Sequence, residues 1–177
     1  MTTSSLTRKE RVRRSILLCA HCVRNVAYYR AGHESMKKTH SQFWATVDGN
    51  FIDTAFLQWC KLFGDGNGKH HWRKVVTNPS EFERELLQDL GVTSADEFSA
   101  FIKEIRVHRD KFIAHLDDLR VANIPFLDLV HASTDFYHAY LVAHEIAADD
   151  LAPLPANLSN YYNATFDEAQ TIFRTVH

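Results

Sequence analysis

Thirteen residues in the second half of the chain carry an unusual density of reactive side chains. Positions 106–118 read Arg-Val-His-Arg-Asp-Lys-Phe-Ile-Ala-His-Leu-Asp-Asp, and eight of the thirteen are ionisable when histidine is counted. Inside a core-facing segment that density is costly unless the groups pair with one another or are used. The types present suit work on a proton and an oxyanion. The His115 imidazole titrates near neutrality and can shuttle a proton. Arg109 offers planar, bidentate donors, and Asp110 can orient Arg109 or a histidine. His108 and Lys111 are second-tier candidates.

Geometry within one helix serves this set only in part. Positions seven apart share a stripe, so His108 and His115 align, and Lys111 lies one turn before His115. Arg109 and His115 are six apart, about 240° around the axis at 100° per residue. One helix alone therefore does not bring them together well. A purely structural account stays open: Arg109–Asp117 or Lys111–Asp118 ion pairs, with His115 hydrogen-bonded in the core.

Eleven histidines also raise the question of a metal. Asp128, His131, Asp135 and His138 step by three and four along one helical stripe. Bundles do bind metals through carboxylates and histidines at such spacing, but no second helix here supplies a Glu-x-x-His. We read the stripe as a polar helix face and expect neither metal nor cofactor. Cys19, Cys22 and Cys60 have no second pair at zinc spacing, and their odd number argues against a disulfide framework. They read as buried thiols.

The elements that position these residues are helical. Only 6 glycines and 4 prolines interrupt 177 residues of which 45% are apolar, which favours long helices over a many-turned β fold. Val12, Ile16, Cys19, Val23 and Val26 lay one apolar stripe on a first helix over 7–29, stopped by Gly32. A second spans 39–63, with Phe43, Val47, Phe51, Ala55, Trp59 and Leu62 inward and a kink or break at Gly49-Asn50. Gly64–Gly68 is the strongest loop signal. A short element at 71–76 and a brief helix over 80–90 follow, the latter closed by Gly91. Ser94-Ala95-Asp96-Glu97 is a capping box opening a helix over 95–119, with Phe98, Phe101, Ile105 and both stripe histidines inward. Pro125 opens a fifth helix to about 148, with Leu127, Val130, Thr134, Tyr137, Leu141 and His144 inward. A short helix at 167–175 ends the chain. The expectation is a single all-α domain over 1–177, an up-and-down bundle of four to five long antiparallel helices with short extra ones, residues 1–5 being loose.

Arg109-Asp110-Lys111-Phe112-Ile113-Ala114-His115 resembles the signature of the HEPN superfamily, an Arg, then usually a polar residue, then a His four to six residues on. Ala114-His115-Leu116-Asp117, and Trp59, Phe63-Gly64 and His71-Trp72 before it, resemble the bacterial abortive-infection branch. The setting, a long helix late in a bundle, matches too. This resemblance implies a metal-independent endoribonuclease of the toxin or phage-defence kind. It would act as a homodimer whose paired motifs build one cleft, the partner filling the 240° gap. RNA cleaved by its own 2′-hydroxyl needs a base, an acid for the leaving 5′-oxygen and a cation for the crowded phosphorane. Arg109, His115 and Asp110 would be catalytic. Noncatalytic binding modules share such folds, and a metal-binding bundle enzyme is the second alternative.

Given that resemblance, Lys69, His70, His71 and Arg73, beside the glycine-rich loop, join His108 and Lys111 as RNA-contact candidates through charge and stacking. The bland account makes Trp72 a core plug and the histidines loop surface. Net charge is −2, unevenly spread: residues 1–40 hold nine Lys/Arg against Glu10 and Glu34, whereas from His115 onward nine Asp/Glu face Arg120 and Arg174. The basic first helix either tracks a phosphate backbone or solvates a face and pairs with the acidic half. Residues 15–20 are apolar, but His21 and Arg24 cut the run, and no stretch nears the ~20 apolar residues of a membrane span. A cytoplasmic protein with RNA and an antitoxin as partners, and no membrane, is the expectation.

Overall fold

The computed structural model describes residues 6–35, 42–110 and 127–175, and 82% of these are helical, with no strand among them. The long elements are α1 (Arg8–Ser35), α2 (Gln42–Trp59), α5 (Ala95–His108), α6 (Leu127–His144) and α7 (Leu158–Thr175). Short helices α3 (Trp72–Val75) and α4 (Pro79–Asp89) lie between α2 and α5. The chain is an all-α bundle, as the scarcity of breakers dictates.

Cross-contacts give the directions. Cys22 meets Ala55 while Gly32, ten residues on, meets Asp48, so α2 runs against α1. Arg8, Cys22 and Arg30 meet Glu145, Thr134 and Asp128, so α6 also runs against α1. Arg30 and Glu34 meet Tyr162 and Gln170, so α7 runs with α1. Phe56, Trp59 and Phe63 meet His108, Phe101 and Phe98, so α5 opposes α2. Each long helix thus reverses the one before it, with α1 central.

The α1 stripe holds as expected: Val12, Ile16, Cys19, Val23 and Val26 are fully buried. All three cysteines are buried and free, and burial pushes Cys22 up to about 12. On α2 the buried face is Asp48, Ile52, Ala55, Phe56 and Trp59. Val47 and Phe51 instead help line a second, smaller cluster with Trp44 and Phe173, and Phe43 is 65% exposed. The helix is continuous through Gly49-Asn50. His144 is exposed rather than inward, and α6 ends there, short of 148. The last helix begins nine residues earlier than read, because the Asn157 side chain caps it, accepting from the Asn160 N–H at 2.7 Å. Gly91, at φ 63°, closes α4, and Val92 N–H reaches back to Leu87 O. Ser94 caps α5 by accepting from Glu97 N–H, but the Glu97 carboxylate turns to Thr93 instead of completing the box.

Gly32 does not stop α1. It lies inside the helix, where a Cβ would collide with Asp48 Oδ1 and meet Phe173 at 3.0 Å. The glycine serves a close approach between helices. Asp48 itself is buried, and its Oδ1 has no hydrogen-bond partner among the described residues. Burial raises its pKa, with His33 opposing. The folded state then holds the proton more tightly than the unfolded one, so stability is lost as pH rises from the ordinary 3.8 through the raised folded value. Asp48→Asn is expected to raise stability by roughly 1 kcal/mol at pH 7 and to leave it little changed at pH 3. Melting temperatures of both proteins at the two pH values test this; an equal gap at each would refute the ionisation argument.

Candidate site at the junction of two π-helical turns

The carboxyl end of α2 does not finish as an α-helix. Cys60–Gly64 is a π-helical turn, closed by the Asp65 N–H donating to Cys60 O at 2.7 Å. At the end of α5, Arg109 and Asp110 enter a second π-helical stretch. Such widened turns are rare and concentrate at functional positions. Here the two are joined: Arg109 Nη1 donates to Asp65 Oδ1 at 2.6 Å, and Nε donates to Asp110 Oδ1 at 2.9 Å.

The Arg109 side chain is 16% exposed. Burial works against its charge, but the two carboxylates outweigh it and hold the guanidinium above its ordinary pKa. Nε and Nη1 are thus committed, while Nη2 has no acceptor among the described residues. Beneath the pair lies Cys60, pushed up to about 12 by burial although Arg109 pulls it down, so it is a neutral thiol.

Beside this junction the backbone of Gly64–Asn67 faces Arg106, whose Cγ would touch a Cβ on Gly64 at 3.3 Å. Two adjoining grooves share Gly64, Gly66 and Arg106: one of about 380 Å³ under the loop, and one of about 290 Å³ running toward Trp72 and Arg73. Arg106 makes no ion pair with any described residue. Arg73 lies over the Trp72 ring at 4.7 Å and pairs with Glu83 at 2.8 Å. The grooves thus carry two guanidinium groups, Arg73 and Arg106, and two carboxylates, Asp65 and Glu83, with a glycine-rich rim and with Phe63, Trp72 and Phe98 lining the second.

The residues singled out from sequence distribute as follows. Arg109 and Asp110 are together at the junction, and Arg73 lines a groove. His115 and Lys111 lie outside the described residues, as do Asp117 and Asp118. His108 is buried against the Phe56 ring, centroids 5.0 Å apart, with Asp53 within its electrostatic reach. His71 is buried at the start of α3. Its Nδ1 accepts from Arg73 N–H, which leaves Nε2 to donate to Phe63 O at 3.0 Å, and burial lowers its pKa. It is a neutral capping residue. Lys69 is exposed and His70 half-buried, both near α1 rather than in the Arg106 grooves. Sequence reasoning missed the pairing of Arg109 with Asp65, and it gave Arg106 no role of its own within the 106–118 segment. Asp65 had a visible signal only as an acid in the glycine-rich turn.

The stripe on α6 is occupied by protein contacts. Asp128 pairs with Arg30, His131 stacks on Tyr162 with centroids 4.4 Å apart, and Asp135 accepts from Ser159. His138 Nε2 bonds Pro155 O at 2.9 Å. The polar face thus joins α6 to α1 and to the α7 side. Among the described residues no group of three or more His, Cys, Asp or Glu is placed to hold a metal, and no helix is long and apolar enough to cross a membrane.

No family model, curated protein or solved structure matches the chain. The function must therefore be argued from the groups at this junction.

Proposed function

We propose that the chain is a HEPN-type endoribonuclease, metal-independent and homodimeric, of the toxin or phage-defence kind. The observation that carries the reading is Arg109: two carboxylates orient its guanidinium, and among the described residues Nη2 has no acceptor and Arg106, in the groove beside it, has no ion pair. A guanidinium fixed in this way meets a phosphate oxygen without paying to order itself. In the proposed reaction His115 removes the proton of a ribose 2′-hydroxyl, and the oxygen attacks the adjacent phosphorus. The 5′-oxygen leaves with the proton returned by the His115 imidazolium, giving a 2′,3′-cyclic phosphate and a 5′-hydroxyl. Arg109 stabilises the phosphorane, and the second copy of the motif completes the cleft.

The charge balance favours a second reading. Two carboxylates on one guanidinium leave the cluster net negative, which suits a structural clamp in a noncatalytic binding module. Purified protein incubated with total RNA in EDTA, wild type beside His115→Ala, separates the two. The nuclease reading expects cyclic-phosphate ends from the wild type and none from the variant. Equal cutting by both, or no cutting at any protein concentration, rejects it.

A further inference from the structure

The cations of α1 divide by face. Arg8 pairs with Glu145, Lys9 with Asp150 at 2.6 Å and Arg30 with Asp128, while Arg13 donates to Ala152 O at 2.9 Å. These four fasten α1 to the acidic second half of the chain, which accounts for part of the basic excess seen in the sequence. Arg14 and Arg24 take no part in this. With His21 they are spaced by seven and three residues, on one outward face.

Other elements bring more positive charge to the same face. The π-helical turn supplies Lys61, and the loop after it supplies Lys69 and His70. Lys61 lies within electrostatic reach of both His21 and His70; Arg24 also acts on His21, and Arg14 and Lys69 on His70. Among the described residues Arg14, Arg24, Lys61 and Lys69 form no ion pair, and Lys61 Nζ donates only to Gln58 Oε1, at 3.0 Å. Glu10 is near Arg14, but its carboxylate is taken up by the Thr7 N–H and hydroxyl at 2.8 and 2.9 Å. His70 Nδ1 is buried and has no hydrogen-bond partner there.

Arg14, Arg24, Lys61 and Lys69 thus crowd one face without an ion pair among the described residues, and burial with these cations lowers the pKa of His21 and His70 beside them. An external polyanion suits such a face. We infer that the face formed by Arg14, His21, Arg24, Lys61, Lys69 and His70 is a track for the phosphate backbone of single-stranded RNA. None of these six residues is among the groups that Arg109 bonds, which among the described residues are Asp65 and Asp110. The choice of RNA over another polyanion rests on the nuclease reading; the existence of the track does not.

The test measures binding of a labelled 2′-O-methyl oligoribonucleotide, which cannot be cut through its own 2′-hydroxyl, across a salt series. Arg14→Gln/Lys61→Gln is expected to weaken binding about ten-fold or more. The dependence of log K on log salt should become shallower by about 1.4, at roughly 0.7 per phosphate contact on a single strand. Lys103→Gln, an exposed cation on α5, should change neither. Unaltered affinity and slope in the double variant overturns the inference, as does an equal loss with Lys103→Gln. Competition by poly-glutamate as effective as by RNA also overturns it and points to an acidic protein. Ordinary RNA that stays uncut while the 2′-O-methyl strand still binds through Arg14 and Lys61 would remove the nuclease reading alone.

Discussion

Truncating Trp59 to alanine is expected to cost about 3–5 kcal/mol of folding stability, the largest loss from any single side chain in the bundle. The indole is fully buried at the point where α2 gives way to the π-helical turn. Its ring lies 5.1 Å from Phe63, 5.4 Å from Phe101 and 6.5 Å from Phe98, centroid to centroid. Its Nε1–H donates to Ser133 Oγ at 2.9 Å, so one side chain holds α2, α5 and α6 together. Truncation removes the burial, opens a cavity that three aromatic rings cannot collapse into, and strands the Ser133 contact. Trp59→Phe keeps most of the packing and gives up only the hydrogen bond and part of the volume, so a smaller loss, about 1–2 kcal/mol, is expected. Urea unfolding followed by far-UV circular dichroism reads both. Because Trp59 also sets the frame under Asp65 and Arg109, any function of the junction should fall with the fold in Trp59→Ala. An alanine variant within about 1 kcal/mol of wild type would show that this ring is not the keystone.

Helices and core were readable because they depend on periodicity, which is local. The α1 stripe, the Phe98–Phe101–Ile105 face and Gly91 all follow from spacing within one element. The misreadings have a common cause: they turn on what lies across the bundle. Gly32 looked like a stop because glycine is costly in a helix, but the cost is accepted where Asp48 and Phe173 leave no room for a side chain. Phe43 fits the α2 stripe, yet it is 65% exposed, with no described element covering that end of the helix face. Asp65 and Arg109 are 44 residues apart, and their contact depends on two π-helical turns that no residue pattern announces. The histidines show the same limit. Sequence placed His71 and His108 among RNA-contact candidates by type and position along the chain, whereas burial and partners decide what each can do: His71 caps α3 through Nδ1 and bonds Phe63 O through Nε2, and His108 packs edge-on to Phe56. Charge was legible in amount but not in allocation, since only the fold divides α1's cations into those paired with the second half and those left facing outward.

If the junction is catalytic, Arg109→Ala is expected to lower the rate of RNA cleavage by on the order of 10²–10³ at saturating RNA, the usual cost of deleting one preorganised donor to a developing negative charge. Arg109→Lys should recover little of this. A lysine places a point charge where a fork is needed, and its single nitrogen cannot occupy the separate Nε and Nη1 positions that meet Asp110 and Asp65. The fold should survive either change. Asp65 is 38% and Asp110 52% exposed, so water can solvate the carboxylates once the guanidinium is gone. Initial rates on a defined RNA, with thermal melts of each variant alongside, separate the chemical effect from a structural one. A clamp with no catalytic role predicts the reverse pattern: a small shift in melting temperature and unchanged cutting. Asp65→Asn sharpens the distinction. An asparagine oxygen still accepts from Nη1 but brings no charge, so the guanidinium keeps its direction and loses part of its neutralisation. A catalytic Arg109 then binds phosphate at least as well as before, whereas a structural clamp is simply weakened.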